Sequence, residues 1–217
     1  MIMNCWFKEN CKIANTEGCS VSCIKYAEVN FLFESSGIPK KQRIALDCPV
    51  VDKDVYDYLA NLDIANLSEK DLNIFICSTK VGNGKTSWAM KLLQRYIAKK
   101  ALGNGFRDIC RFVHVPTQLS KFKDFNNEKQ EHQKETLINM DLIVWDDIGM
   151  PISDFDRQQL LNIIDRRILL GKANIYTSNV VEYDYLEESI GARLASRVFN
   201  YSEVVVFKSK DKRGIRS

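Results

Sequence analysis

The chain has no apolar run approaching the roughly 18 residues needed to cross a bilayer. Its start, Met1-Ile2-Met3-Asn4-Cys5, lacks a basic segment followed by an apolar one, so nothing in it reads as an export signal. The expectation is a cytoplasmic protein with no membrane partner. Internal repeats and low-complexity segments are also missing, and the balance of 45% hydrophobic to 27% charged residues argues against a long disordered tail. A large excess of one sign of charge is missing as well. The net charge is +3: residues 1–70 hold eight Lys/Arg against ten Asp/Glu, and residues 71–217 hold 23 against 18. So mild a surplus allows a polyanion partner without demanding one. At 217 residues, no staple is needed to supply a core.

No Cys-x-x-Cys occurs among the seven cysteines, yet Cys5, Cys11, Cys19 and Cys23 crowd into the first 23 residues. In a reducing compartment these are thiols or metal ligands. Four thiolates can enclose Zn²⁺ tetrahedrally and give a short segment the folding energy a core cannot. The pattern therefore predicts a structural zinc, with free thiols as the alternative; only the Cys19 to Cys23 gap matches common ligand spacing. Cys48, Cys77 and Cys110 are scattered singly and read as small buried hydrophobes.

The Cys-rich head runs into a helix-like stretch over 25–34, stopped by Ser35-Ser36-Gly37-Ile38-Pro39. This places a boundary near residue 42: a zinc module over 1–42, then a larger domain over 43–217. Residues 43–70 read as a lead-in, with a short extended run and a helix over 51–62. From residue 72, apolar strands alternate with helical periods, the pattern of a parallel sheet with crossover helices and hence a three-layer α/β core. Strands are expected over 72–77, 111–115, 142–145, 174–177 and 204–207. One helix carries Trp88, Leu92, Leu93 and Tyr96 and a second carries Leu160, Leu161, Ile164 and Ile168. A third carries Leu186, Ile190, Leu194 and Val198 on one face.

Directly after the first strand comes Thr79-Lys80-Val81-Gly82-Asn83-Gly84-Lys85-Thr86, a P-loop with Thr79 where the first Gly is usual. Gly82 and Gly84 allow the tight turn that points successive N–H groups at phosphate. Val81, Gly82, Asn83, Gly84, Lys85, Thr86 and Ser87 are thus the expected nucleotide contacts, with Lys85 on the β- and γ-phosphates and the Thr86 hydroxyl on Mg²⁺. Leu142-Ile143-Val144-Trp145-Asp146-Asp147 supplies the acidic pair such a site needs. Asp146 is expected to hold Mg²⁺ and Asp147 to orient the attacking water.

These residues, with Trp145-Asp146-Asp147-Ile148-Gly149, the paired Arg166-Arg167, Tyr176-Thr177-Ser178-Asn179-Val180 and Ala192-Arg193-Leu194-Ala195-Ser196-Arg197-Val198, carry a resemblance over nearly the whole chain. The chain resembles helicase loaders of the DnaC/DnaI type, within the AAA+ ATPases. The resemblance implies ATP as nucleotide, self-association through the ATP site, a replicative DnaB-type helicase as partner and delivery to single-stranded DNA. It implies that Asn179 senses the γ-phosphate, that Arg197 is an arginine finger supported by Arg193, with Arg166 and Arg167 as rivals, and that Arg213 is a second sensor. The zinc head would dock on the helicase. The family pattern has Glu where this chain has Asp147, which implies slow or partner-dependent hydrolysis. Lys121-Phe122-Lys123-Asp124-Phe125 interleaves basic and aromatic residues as a single-strand contact could, although core packing of the two Phe is the simpler reading. A transposition-helper ATPase, a non-hydrolysing nucleotide-dependent adaptor and a nucleic-acid-binding head stay open as alternatives.

Overall fold

The computed structural model describes residue 5 and residues 11–14, 16–42, 53–70, 72–124 and 127–208. Arg213, Cys48, Phe125 and the extended run expected after residue 42 lie outside them. Eight α-helices and five strands follow in chain order among the described residues: α1 (Ile24–Ser35), α2 (Lys53–Asn61), β1 (Asn73–Cys77), α3 (Lys85–Lys100), β2 (Cys110–His114), α4 (Val115–Asp124), α5 (Asn127–Asn139), β3 (Leu142–Asp146), α6 (Asp154–Leu169), β4 (Ala173–Ser178), α7 (Tyr183–Ile190), α8 (Ala192–Phe199) and β5 (Ser202–Val206).

The strands form one sheet in the order β2-β3-β4-β1-β5, every pair parallel. Parallel strands covered on both faces read as largely apolar runs. β1, β3 and β4 are buried from end to end, with apolar middles and polar residues confined towards their ends. Successive side chains alternate between two cores. Ile74, Ile76, Val144 and Ile175 join the core shared with α1, α2 and α3. Phe75, Cys77, Ile143, Trp145 and Tyr176 join the one shared with α4, α5, α6, α7 and α8. Cys77 and Cys110 are fully buried, as expected, and burial pushes the Cys77 thiol up to about 11.

Part of the expected head contributes to this body. Val29, Leu32, Phe33 and Ile38 pack in the same core as Trp88, Leu92 and Ile97 of α3. The segment after α1 lies along β2: Phe112 N donates to Ser36 O at 2.6 Å. A paired backbone there covers an otherwise open sheet edge.

The third expected helix is in fact two. Leu186, Ile190, Leu194 and Val198 are all buried, but the chain breaks at Gly191, with φ 85° and ψ 150°. A Cβ there would stand 2.7 Å from the Cδ of Arg157. Only glycine takes this conformation without strain, and the four-residue period hid the break because both helices bury the same side.

Arg167, a rival for the arginine finger, is fully buried. Its Nε donates to Asn174 Oδ1 (2.7 Å), Nη1 to Leu137 O (2.6 Å) and Met140 O (2.7 Å), and Nη2 to Ala173 O (2.6 Å). It ties the end of α5 to the start of β4, where helix carbonyls lack intrahelical donors. The finger assignment for Arg167 is therefore corrected: the guanidinium faces inward and reaches no neighbouring molecule. Asn174 in turn accepts from Trp145 Nε1 (3.0 Å) and donates through Nδ2 to Asn73 Oδ1 (3.0 Å).

Candidate nucleotide-binding site

β1 ends at Cys77, and residues 78–84 turn back into α3. Gly82 (φ 75°) and Gly84 (φ 97°) take left-handed conformations, and Gly84 is the cap before the first helical residue, Lys85. Ser78 Oγ organises the turn from inside, accepting from Asn83 Nδ2 (2.6 Å) and Lys80 N (3.2 Å). Lys85 is buried, and its ammonium donates to Lys80 O (2.9 Å) and Asn83 Oδ1 (3.3 Å).

Opposite this loop, β3 and β4 end side by side. Asp146 Oδ1 accepts from two hydroxyls, Thr86 Oγ1 of α3 at 2.8 Å and Thr177 Oγ1 of β4 at 2.7 Å. Asp147 follows with φ 64°, an uncommon conformation for a non-glycine residue that Asp tolerates better than most. Its N–H donates to Thr177 Oγ1 (3.0 Å), and its Oδ1 accepts from Asn179 Nδ2 (3.1 Å). His114, at the end of β2, brings Nε2 to 4.0 Å from Asp147 Oδ2, while its Nδ1 meets Thr117 Oγ1 at 2.7 Å.

Val81, Gly82, Asn83, Gly84, Lys85, Thr86, Ser87, Asp146, Asp147 and Asn179 all line one cleft of about 480 Å³. His114, Thr177 and Ser178 line it too, though the sequence alone did not nominate them. Their signal is non-local: His114 comes beside Asp146 only through the β2–β3 register. The cleft opens at the carboxyl ends of the strands, where parallel α/β sheets bind ligands. Its residues fit a nucleotide with its ion. The left-handed turn and buried ammonium suit phosphate, and a hydroxyl beside a carboxylate is the hard-oxygen set Mg²⁺ prefers.

Arg197 does not line this cleft. Its Nε donates to Asp165 Oδ1 and its Nη1 to the Tyr201 hydroxyl at 3.1 Å. Arg193, one turn earlier, is exposed. Arg166 closes both Nη groups on the two Glu135 oxygens. Cys11, Cys19 and Cys23 sit along a run of tight turns, with Cys23 capping α1. Cys5, Cys11, Cys19 and Cys23 are not gathered as a zinc site: no three His, Cys, Asp or Glu side chains stand together as a ligand set among the described residues. Phe122 is buried, so the expected core packing holds and the ring is not offered to a base. No described helix is long and apolar enough to cross a membrane.

A P-loop between a parallel strand and its helix, facing an Asp-Asp pair at the end of β3, defines the fold as a P-loop α/β fold. The resemblance to DnaC/DnaI-type helicase loaders holds in sequence and in fold. The chain is 29% identical over 143 residues to the replicative helicase loader DnaC of Buchnera aphidicola subsp. Baizongia pistaciae (strain Bp), covering 64% of this chain and 56% of that protein. It thus spans little more than half the length of that relative. The fold matches the crystal structure of the DnaC helicase loader (TM-score 0.62, 20% identity, 78% of this chain and 100% of that one). It also matches that of DnaI (TM-score 0.61, 16% identity, 79% and 95%). AMPPCP-bound DnaA from Aquifex aeolicus shares the fold at TM-score 0.57 and 20% identity, over 71% of this chain and 44% of that one. No family model matches the chain.

Proposed function

We infer that this chain is an ATP-dependent loader that binds a replicative DnaB-type helicase and delivers it to single-stranded DNA. The observation that carries the nucleotide part of this reading is the linked polar set across α3, β3 and β4, and the helicase part is supported by the similarity to the DnaC and DnaI loaders. Thr86 and Thr177 converge on Asp146, and Asn179 meets Asp147, all in a cleft lined by the P-loop. In this reading Lys85 holds the β- and γ-phosphates, and Thr86 with Asp146 holds Mg²⁺. The bound ion supplies neutralisation of phosphate charge. Asp147 orients the attacking water and accepts its proton, and Asn179 can donate to the γ-phosphate while holding Asp147. Arg197 acts on the cleft of a second copy, which gives self-association a chemical role. Arg213, outside the described residues, keeps in this reading the second-sensor role that the resemblance implies. The ATP state favours assembly with helicase and DNA, and hydrolysis releases it.

Capture of the host's replicative helicase by the purified chain, with and without ATP and Mg²⁺, tests this reading. Capture is expected from the wild type and is lost or nucleotide-blind in Lys85→Ala. A chain lacking residues 1–23 separates the head's share, because residues 29–38 supply core side chains that must stay. No capture in any nucleotide state refutes the loader reading and leaves the transposition-helper or adaptor readings. Zinc in the head is a separate proposal that rests on the cysteine count alone, since the four thiols are not gathered as a ligand set among the described residues. One zinc per chain by metal analysis is expected, and a metal-free, folded chain refutes it.

A further inference from the structure

Three arginines on the α6 and α8 side of the molecule are held in three ways. Arg167 is buried with all its nitrogens bonded to carbonyl oxygens. Arg166 has both Nη groups taken by one carboxylate. Arg197 is part-exposed and gripped mainly at its inner end. Nε donates to Asp165 Oδ1, Nη1 gives one bond to the Tyr201 hydroxyl, and Cζ lies 5.1 Å from the centre of the Tyr201 ring. Of the five N–H groups of a guanidinium, these bonds commit two. The side chains of Arg197 and Asp165 are 34% and 27% exposed, so the pair sits at the surface rather than inside the body.

We propose that Asp165 is the positioning residue for Arg197: by clamping Nε it presents the Nη end, already oriented, to the γ-phosphate of ATP bound in a second copy of this chain. The inference rests on the reading of Arg197 given above and adds to it what fixes the finger. A free arginine loses its rotamer freedom at the moment of contact, whereas one held by Nε and by a ring has lost it beforehand. A carboxylate neighbour also offsets the guanidinium charge. At a part-exposed site solvent screens that term, so orientation outweighs it. Tyr201 acts in the same direction and less strongly, since it contributes a neutral hydrogen bond and a ring face.

ATP turnover by the full chain at saturating ATP and Mg²⁺, over a rising protein concentration, tests the proposal. Asp165→Ala is expected to lower kcat about 10-fold with KM for ATP unchanged, Asp165→Glu to recover part of the loss, and Tyr201→Phe to lose about 2-fold. In an Arg197→Ala background, Asp165→Ala should cost nothing further, because a residue that acts only through Arg197 has nothing left to position. Additive losses, or wild-type or raised kcat in Asp165→Ala, overturn the proposal while leaving Arg197 its role. Full turnover in Arg197→Ala, or none in the wild type at any concentration, overturns the reading of Arg197 and the proposal together. Where Asp165→Ala does not fold, Asp165→Glu and Tyr201→Phe carry the same decision.

Discussion

The two ends of the sheet carry polar side chains in two different conditions. At the carboxyl ends of the strands Asp146, Asp147, Thr177 and Asn179 are linked to one another around an open cleft. At the amino ends Asn73, Asn174 and Arg167 are buried, saturated by carbonyls, amides and the Trp145 indole. Buried polar groups stay only where every partner is supplied, and once supplied they lock the strands that carry them. Polar groups that face a cleft can exchange one another for a ligand. Residues of similar type thus divide between holding the fold and serving the site according to which end of a strand they occupy.

The sharpest break in the comparison is Arg167→Met. It strands the carbonyls of Leu137, Met140 and Ala173 and the Asn174 side chain inside the core, at a cost of about 3–5 kcal/mol. Thermal unfolding should fall by roughly 10 °C, while nucleotide affinity of the folded protein stays unchanged. An unaltered melting temperature would mean that the amino-end network contributes nothing. Asp147→Asn makes the opposite break: turnover drops about 100-fold, or ~2.7 kcal/mol in the barrier, with little change in melting temperature or ATP affinity. Gly191→Ala sits between the two regions. Its φ of 85° and the 2.7 Å approach of Arg157 predict a loss of about 2 kcal/mol, read as a lower denaturant midpoint at constant slope.

What could be read from the sequence follows the same division. The P-loop and Asp146-Asp147 were legible because phosphate chemistry needs those residue types side by side in the chain, and the interior strands because double burial makes them largely apolar. Thr177 and His114 were not, since their place beside Asp146 depends on sheet order and register. Arg167 hid behind its charge. Yet it falls seven residues after Leu160 and three after Ile164, on the buried stripe of α6, and that period was a usable signal. Gly191 was missed for the converse reason: a continuous buried period runs across a broken backbone.

The smallest expected effect concerns Asp156, one of whose carboxylate oxygens, Oδ2, is held by fixed partners as the groups of the saturated end are. It begins α6 with Ser153: Asp156 N donates to Ser153 Oγ at 3.2 Å, and that hydroxyl donates to Asp156 Oδ2 at 2.7 Å. Lys123 of α4 donates to the same oxygen at 2.8 Å. Burial by itself raises the carboxyl, but the bonds from Lys123 and Ser153 outweigh it and hold the group below the ordinary carboxylate range. A depressed folded-state value means the contribution is complete above the unfolded value, near pH 3.9, and is lost as pH falls through the lower folded one. Lys123 is half exposed, so screening limits the contribution to about 1 kcal/mol or less. Stability followed from pH 5 down to pH 2 should fall less steeply in Lys123→Met than in the wild type, with the curves closest at the acid end. Parallel curves would assign the acid loss to other carboxylates and place Asp156 with the exchangeable groups of the cleft.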